Sequence, residues 1–195
     1  MTTFYTSDLH IGGEFATRIR QMGSTQAHDA RIAGWWDENV GEHDTVVILG
    51  DVTEYPVGEA QTALKWLDER PGNKVLISGN WDWKHLEGAG MFDWRDHFDR
   101  ILSHHPQWPL GTDTEVALHH YPYDHKDSPD KLTDWTSRDE DGRRPVLLHG
   151  HTHSKKQMSY DSEGTLQVHV GWDAWRRFPE GSELVTLIKR LNAKS

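Results

Sequence analysis

The sequence predicts an α/β fold that becomes richer in strands towards its C-terminal end. Short apolar segments alternate with amphipathic ones in the first half, and four further apolar segments follow in the second half. Two of the early apolar segments stop at a glycine, a residue that commonly ends a strand. The 195 residues suit a single domain spanning 1–195, which is long enough to bury a core.

Three strands and two helices are predicted in the first half. The segments 4–7, 46–49 and 74–77 have the length and apolar content of strands, and Gly50 and Gly79 end the second and third. Ser24 stands where it could cap the first helix. The apolar residues with helical spacing are Ala30, Ala33, Trp36 and Val40 in the first helix and Ala60, Ala63, Leu64 and Leu67 in the second.

Four strands are predicted in the second half, at 115–118, 146–148, 166–170 and 184–188. The stretch 124–144 between the first two is polar and charged and contains Pro129 and Gly142. Apolar strands resume directly after it, so we predict a long surface loop within the domain. Long loops in compact domains often take part in function.

The composition excludes several classes of protein. The formal charge is −10, so the sequence shows no basic groove that would hold nucleic acid. Nucleic acid is still kept as a possible partner. The absence of Cys excludes disulfides, zinc–thiolate sites and cysteine nucleophiles. No signal-peptide pattern and no membrane-length apolar stretch is visible, so we expect a cytoplasmic protein without a membrane partner. The oligomeric state is left open.

Metal-compatible side chains follow five of the apolar segments. The five motifs are Asp8-Leu9-His10, Gly50-Asp51, Gly79-Asn80, His119-His120-Tyr121-Pro122 and His149-Gly150-His151-Thr152-His153. Most of the motifs are ordinary alone: Gly-Asp and Gly-Asn after a strand are turn chemistry, and a lone His at a strand end is usually a surface residue. Gly150-His151-Thr152-His153 is a stronger signal, because paired imidazoles at alternate positions suit metal ligation. Ligand sites gather beyond the carboxyl ends of strands in α/β sheets, so the ordered set of five predicts one shared site.

This ordered set resembles the calcineurin-like metallophosphoesterases. His120-Tyr121-Pro122 and the segment Val170-Gly171-Trp172-Asp173-Ala174-Trp175 are similar to small bacterial and phage members of that superfamily. The resemblance extends from Asp8 to about Ile188. It implies two mixed β-sheets packed face to face and flanked by helices, which is a four-layer αββα sandwich.

The resemblance also implies a site for two divalent cations bridged by Asp51. The ligands of the first cation would be Asp8, His10, Asp51 and His153, and those of the second would be Asp51, Asn80, His120 and His151. His149 is expected to face away from the metals. A ligand set of carboxylate, amide and imidazole groups without thiolate favours Mn²⁺, with Fe²⁺, Zn²⁺, Ni²⁺ or Mg²⁺ as alternatives. A hydroxide bridging the two cations would be the nucleophile.

The sequence departs from the superfamily pattern after Asn80. The superfamily usually has His at the next position, where it protonates the leaving oxygen or contacts the phosphate, whereas this chain has Trp81. An indole cannot deliver that proton, so His119, His125 or a metal-bound water would supply it. The predicted catalytic residues are Asp51, Asn80, His119 and Asp82, and the predicted substrate-binding residues are Asn80 and Trp81.

The missing acid favours substrates whose leaving group needs little help. The sequence therefore predicts a phosphodiesterase acting on small phosphate esters or nucleotides, with 2′,3′-cyclic nucleotides favoured. A metal-dependent nuclease or a nucleotide pyrophosphohydrolase would use the same site. A non-catalytic scaffold is the alternative from a different class, since some members of the superfamily bind proteins.

Overall fold

The computed structural model describes residues 1–54, 57–86, 94–105, 107–126 and 138–192. Its strands form two four-stranded sheets. The first sheet has the order β1 (Thr3–Thr6), β2 (Thr45–Ile48), β3 (Asn73–Ile77) and β4 (Arg100–Leu102), and neighbouring strands run parallel. The second sheet contains β5 (Val116–Leu118), β6 (Val146–His149), β7 (Met158–Tyr160) and β8 (Leu166–His169) in the order β5-β6-β8-β7. Only β7 runs antiparallel to its neighbour in this second sheet.

Helices connect the strands of the first sheet and follow the last strand of the second. In the described residues they are α1 (Glu14–Ile19), α2 (Thr25–Asn39), α3 (Val57–Asp68), α4 (Asn80–Leu86), α5 (Trp172–Trp175) and α6 (Gly181–Asn192). The predicted cap is confirmed, because the Ser24 hydroxyl accepts a hydrogen bond from the backbone N–H of Ala27 at 3.1 Å.

The two sheets pack face to face over a shared apolar core. Alternate residues of the first sheet, such as Val47 and Val75, belong to the same buried cluster as Leu118 and Leu148 of the second sheet. The residues between them on each strand point to the opposite face. The predicted fold class of two face-to-face sheets with helices is thereby confirmed.

The outer faces of the sheets are covered differently. Helices α2 and α3 cover the first sheet, where Trp36 and Leu64 pack in one buried cluster with Val46. The outer face of the second sheet carries a smaller cluster that includes Tyr121 and Tyr123.

The prediction of a strand at 184–188 is wrong, because this segment lies in helix α6. Leu184 and Ile188 are four residues apart and both fully buried, which is the spacing of one helix face. They join the core between the sheets beside β1. Short strands β4 and β7 were not predicted. Of the predicted surface loop 124–144, residues 127–137 lie outside the described residues.

Within the described residues, no helix is both long and apolar enough to cross a membrane. The strands that matter for function are parallel within each sheet, and their carboxyl ends therefore meet along one edge of that sheet. The ends of β6 and β8 are in register, with His149 paired to His169.

Candidate metal centre

Two groups of potential metal ligands lie at the carboxyl ends of the strands. The first group is Asp8, His10 and His153, and the second is Asp51, His120 and His151. The potential ligand atoms of each group lie within 4.8 Å of one another. Each group combines residues that follow strands of the first sheet with residues that follow strands of the second. The site therefore spans the two sheets at the carboxyl ends of their strands.

The two groups adjoin each other through His10. Its Nε2 atom lies 4.0 Å from Asp8 Oδ1 and 4.0 Å from Asp51 Oδ2. In the first group, His153 Nε2 lies 3.9 Å from Asp8 Oδ1.

Asn80 lies with the second group. The Nε2 atom of His120 lies 3.1 Å from Asn80 Oδ1 and 3.3 Å from Asp51 Oδ2. The same atom lies 3.2 Å from His151 Nδ1. All seven predicted ligands therefore converge on one place, with Asp51 next to members of both groups.

Most of the predicted ligands occupy a backbone conformation that is uncommon for residues with a side chain. Eight non-glycine residues of the described chain have positive φ, and five of them are predicted ligands. These five are Asp8, His10, Asp51, His151 and His153, with φ between 48° and 69°. Such residues cost free energy and cluster at functional sites, where the surrounding structure holds them in place.

Gly79 permits the close approach of the loops in the second group. A Cβ atom added at Gly79 would lie 2.4 Å from Asp51 Oδ1 and 3.0 Å from His120 Cε1. Any side chain at this position would displace both residues. This close contact explains why glycine precedes Asn80.

Hydrogen bonds fix the tautomers of two histidines. The Nδ1 atom of His120 lies 2.7 Å from the carbonyl oxygen of Leu49, and that of His153 lies 2.9 Å from Asp173 Oδ2. Both oxygens only accept, so the proton resides on Nδ1 in each ring. When the ring is neutral, the lone pair of Nε2 is then directed at the site, as metal ligation requires.

A buried guanidinium supports the first group from below. Arg20 is 6% exposed and pairs through Nη2 with Asp173 Oδ2 at 2.6 Å. The same nitrogen donates to the carbonyl oxygen of Asp8 at 2.7 Å. Arg20 Nη1 donates to His28 Nε2 at 2.7 Å, which extends the hydrogen-bonded chain into helix α2. Through Arg20 and Asp173, the network links Asp8, which follows a strand of the first sheet, to His153, which follows a strand of the second.

Asp82 supports the loop that carries Asp51. Its carboxylate is fully buried and accepts hydrogen bonds from the backbone N–H groups of Asp51, Val52 and Gly79 at 2.8–3.0 Å. Burial, with the nearby Asp51 charge, raises the pKa of Asp82 to about 6. Because the side chain has no exposed surface, it cannot touch a substrate. The geometry favours a positioning role over the predicted catalytic one.

The charges of the site are strongly coupled. Burial raises the pKa of the Asp8 carboxyl, but the imidazoles of His153 and His120 outweigh it and hold that pKa well below its ordinary range. Burial lowers the pKa of His120, yet the Asp51 carboxylate outweighs this effect and raises it to about 9. In the metal-free protein, a protonated His120 therefore balances part of the carboxylate charge.

The donor set fits divalent cations. Both ring nitrogens of His10 are buried without a hydrogen-bond partner, although buried polar atoms are normally satisfied. Asp8 and Asp51 are 0% and 2% exposed and share this buried space with several imidazoles. Cations bound between the converging oxygen and nitrogen atoms would satisfy these groups at once.

A family model described as the calcineurin-like phosphoesterase superfamily domain matches residues 1–189. The chain belongs to the calcineurin-like phosphoesterase superfamily. It is 38% identical over 202 residues to the Gene 66 protein of Mycobacterium phage L5, which covers 97% of this chain and 95% of the relative. It is also 38% identical over 181 residues to the Gene 66 protein of Mycobacterium phage D29, with 88% of each chain covered. These relatives place it among phage-type members.

A solved structure of a protein of unknown function, AQ665 from Aquifex aeolicus, has the same fold. The TM-score is 0.62 and the sequence identity 19%, with 95% of this chain and 98% of that chain covered. The superfamily and the two ligand groups together support a metal-dependent phosphoesterase with a binuclear site.

Other residues singled out in the sequence lie around the phosphoesterase site. His119 belongs to neither group: its Nδ1 atom accepts from the backbone N–H of Tyr121 at 3.0 Å, and its ring lies 6.4 Å from that of His104. The ring of His125 lies closer, with its centroid 4.7 Å from that of His151. His149 also lies outside both groups and is 3% exposed.

Four residues near the phosphoesterase site received no role from the sequence. Asp173 and Arg20 form the supporting ion pair, and Glu54 Oε1 lies 3.4 Å from His10 Nδ1. His169 Nε2 lies 3.9 Å from Asp8 Oδ2. A signal was present for two of them, since His169 ends a strand as His149 does and Asp173 lies in the segment that resembles the superfamily. Arg20 and Glu54 carry no local signal.

Proposed function

We propose that this calcineurin-like phosphoesterase is a phosphodiesterase that acts on nucleotide phosphodiesters, with 2′,3′-cyclic nucleotides as favoured substrates. The observation that carries the proposal is the position of Trp81 beside the metal centre. Its backbone N–H donates to Asp51 Oδ1 at 3.0 Å, so Trp81, like Asn80 before it, lies next to the second ligand group. Its indole is half-buried, with the ammonium of Lys84 lying 4.2 Å from the ring centroid.

Trp81 stands where the superfamily usually has a proton-donating histidine. An indole nitrogen is a donor with no accessible protonation equilibrium, so it cannot protonate a leaving oxygen. General acid catalysis contributes roughly 10²–10⁴ in rate, and that contribution matters most for poor leaving groups. Without a general acid, the hydrolysis rate falls least for strained cyclic diesters and for diesters with acidic leaving groups. It falls most for alkyl phosphomonoesters, and this difference supports a diesterase.

Two ligand sets that share Asp51 are proposed to hold the cations. The ligands of the first are Asp8, His10, Asp51 and His153. The ligands of the second are Asp51, Asn80, His120 and His151. When bound, two such cations supply Lewis acidity that polarises a phosphoryl oxygen and lowers the pKa of water. Oxygen and imidazole donors without thiolate favour Mn²⁺, with Fe²⁺, Zn²⁺, Ni²⁺ and Mg²⁺ as the alternatives.

The residues of the chain contribute by holding and orienting. The Asn80 amide lies at the start of α4, next to the ligand His120, where it can contact both a cation and a phosphate oxygen. The Trp81 indole offers the substrate a flat apolar surface next to Asp51, to which its backbone N–H donates. The Asp82 carboxylate fixes the loop of Asp51 by accepting hydrogen bonds from its backbone N–H groups.

His125 is better placed than His119 to meet a leaving group. Its ring is half-buried and contacts the ring of the ligand His151, whereas His119 is directed towards Tyr121 and His104. Burial also lowers the pKa of His119 to about 3, so it is neutral at physiological pH. We therefore assign to His125, in preference to His119, the role of donating the proton to the leaving oxygen.

The presence of both ligand groups counts against a non-catalytic scaffold. A protein-binding surface gains nothing from five ligands held at positive φ, because that conformation costs free energy. A nuclease would use the same centre, but the formal charge of −10 gives little support to electrostatic binding of a polynucleotide.

The test is hydrolysis of three substrates by the Mn²⁺-loaded protein. Bis-p-nitrophenyl phosphate and 2′,3′-cyclic AMP should be turned over faster than p-nitrophenyl phosphate. Chelation should abolish turnover, as should Asp51→Ala, while Asp113→Ala removes an exposed carboxylate outside the site and should leave it unchanged. A folded, metal-loaded protein that hydrolyses neither diester overturns the proposal, and turnover of the monoester alone overturns the diesterase assignment.

A further inference from the structure

Phe15 is an exposed aromatic ring at the edge of the metal centre. Its residue is 43% exposed, one of five large hydrophobic residues that the described part of the chain leaves exposed. The centroid of its ring lies 5.4 Å from that of His153 and 6.3 Å from that of His10. Both neighbours are ligands of the first group, so the exposed surface of Phe15 borders the place where a phosphate would bind.

The ring is packed against the ligands in a defined orientation. It stands nearly perpendicular to the imidazole of His153, with an interplanar angle of 83°. The imidazoles of His10 and His153 lie against each other, with centroids 5.0 Å apart and an angle of 31°. Phe15 is the third ring of this cluster and the most exposed of the three.

The helix that carries Phe15 is fastened to the loops of the metal centre. The Glu54 carboxylate accepts hydrogen bonds from the backbone N–H groups of Phe15 and Ala16 at 3.0 and 2.8 Å. Glu54 follows Asp51 by three residues, and its other contact is the Nδ1 atom of His10. Helix α1 is thus held by a residue that adjoins both ligand groups.

The chain entering this helix has no room for a side chain. A Cβ atom added at Gly13 would lie 2.3 Å from Glu54 Oε1 and 2.7 Å from the carbonyl oxygen of His10. Thr17 Oγ1 donates to the carbonyl oxygen of Gly13 at 2.6 Å and closes the first turn. These contacts fix the position of Phe15 before any ligand arrives, and a fixed apolar surface binds at a lower entropic cost than a mobile one.

We propose that Phe15 is a specificity-determining residue that stacks against the planar group of the substrate, a nucleobase. An exposed phenyl ring next to a phosphate-binding centre offers the π-face that nucleobases use, whichever base is present. The inference deepens the proposed function, on which it rests for the nucleotide class. It places the base against Phe15, on the side of the first ligand group, and not against Trp81, which adjoins the second.

The test compares two phosphate ligands that differ by a base. Binding of adenosine 5′-monophosphate and of ribose 5-phosphate to the Mn²⁺-loaded protein is measured by isothermal titration calorimetry. Stacking on an aromatic residue should make the adenosine ligand bind about 5- to 150-fold more tightly in the unchanged protein. Phe15→Ala should abolish that preference and leave the affinity for ribose 5-phosphate unchanged.

Two variants separate stacking from packing. Phe15→Leu keeps an apolar side chain against His153 but lacks a π-face, so it should lose the preference as Phe15→Ala does. Ile19→Ala removes a 38% exposed apolar residue of the same helix, and this variant should retain the preference for the adenosine ligand. No base preference in the unchanged protein, or a preference that survives in Phe15→Ala, overturns the proposal. Because the readout is binding, failed diester hydrolysis would reject the diesterase without deciding the role of Phe15.

Discussion

The guanidinium of Arg20 and the carboxylate of Asp173 form a two-point ion pair, with Nε–Oδ1 and Nη2–Oδ2 distances of 3.0 and 2.6 Å. The partners are 153 residues apart, and both are more than nine-tenths buried. Arg20 also holds the carbonyl oxygen of Asp8, while Asp173 holds Nδ1 of His153. The pair therefore orients two predicted ligands that follow strands of different sheets.

Asp173→Asn should weaken metal binding by about 10- to 100-fold, because the loss of a carboxylate behind a ligating histidine typically has an effect of this size. The measurement is Mn²⁺ affinity by calorimetry on the metal-free protein. Glu183→Gln is the matched control, since Glu183 pairs with Arg177 at the surface and exposed pairs contribute little. An unchanged affinity in a folded Asp173→Asn variant would show that the pair does not orient His153.

Trp81→His restores the residue that the superfamily usually has. We expect hydrolysis of alkyl phosphomonoesters to rise relative to that of diesters, by up to roughly 10²-fold where protonation of the leaving oxygen limits the rate. The hydrogen bond to Asp51 comes from the backbone and should survive the change. Trp81→Phe is the control, because it removes the indole without adding a proton donor. Equal monoesterase rates in both variants would contradict the explanation.

His125→Ala should slow substrates in proportion to how poor their leaving group is. The ring contacts His151 at the second ligand group and is the nearest unassigned imidazole there. A series of aryl phosphodiesters with leaving groups of rising pKa should give a steeper decline in kcat for His125→Ala than for the unchanged protein. His119→Ala should leave the slope as it is. A steeper slope for His119→Ala instead would reverse the assignment.

The metal-free protein should lose stability as the pH falls below about 6.5. Burial lowers the pKa of His119 and His149 to about 3 and that of His10 to about 4. The unfolded chain takes up these protons near pH 6.5 and the folded chain does not, so each histidine lowers the unfolding free energy by about 1.4 kcal/mol per pH unit. Burial likewise lowers the pKa of His151 to about 4, so Asp82, with its pKa raised to about 6, acts in the opposite direction as one group against four.

Stability should also fall on the alkaline side. The Asp51 carboxylate outweighs burial and raises the pKa of His120 to about 9, so this contribution is complete below pH 6.5 and lost as the pH rises through 9. The Tm in the presence of a chelator should therefore be highest near pH 6.5. A constant Tm from pH 4.5 to 9 would contradict both assignments, and His149→Gln should make the acid side shallower.

The convergence of the predicted ligands could be anticipated from the sequence because each of them follows a strand at short range. Asp8 and His10 stand two residues apart after β1, and His151 and His153 do so after β6. The supporting residues carry no such local signal, since Arg20 meets Asp173 only once the two sheets have packed. The segment 184–188 was predicted as a strand because an apolar run of this length does not distinguish a strand from a buried helix; it lies in helix α6 and packs in the core.

The backbone N–H of His151 donates to both carboxylate oxygens of Asp8, a residue 143 positions earlier in the chain. Neither ligand group has all its members until residues 151 and 153 have been synthesised. A nascent chain that stops short of them carries carboxylates and histidines with no partner to converge on. Metal loading must therefore follow translation of most of the chain, and truncated products should neither retain the cations nor turn over substrate.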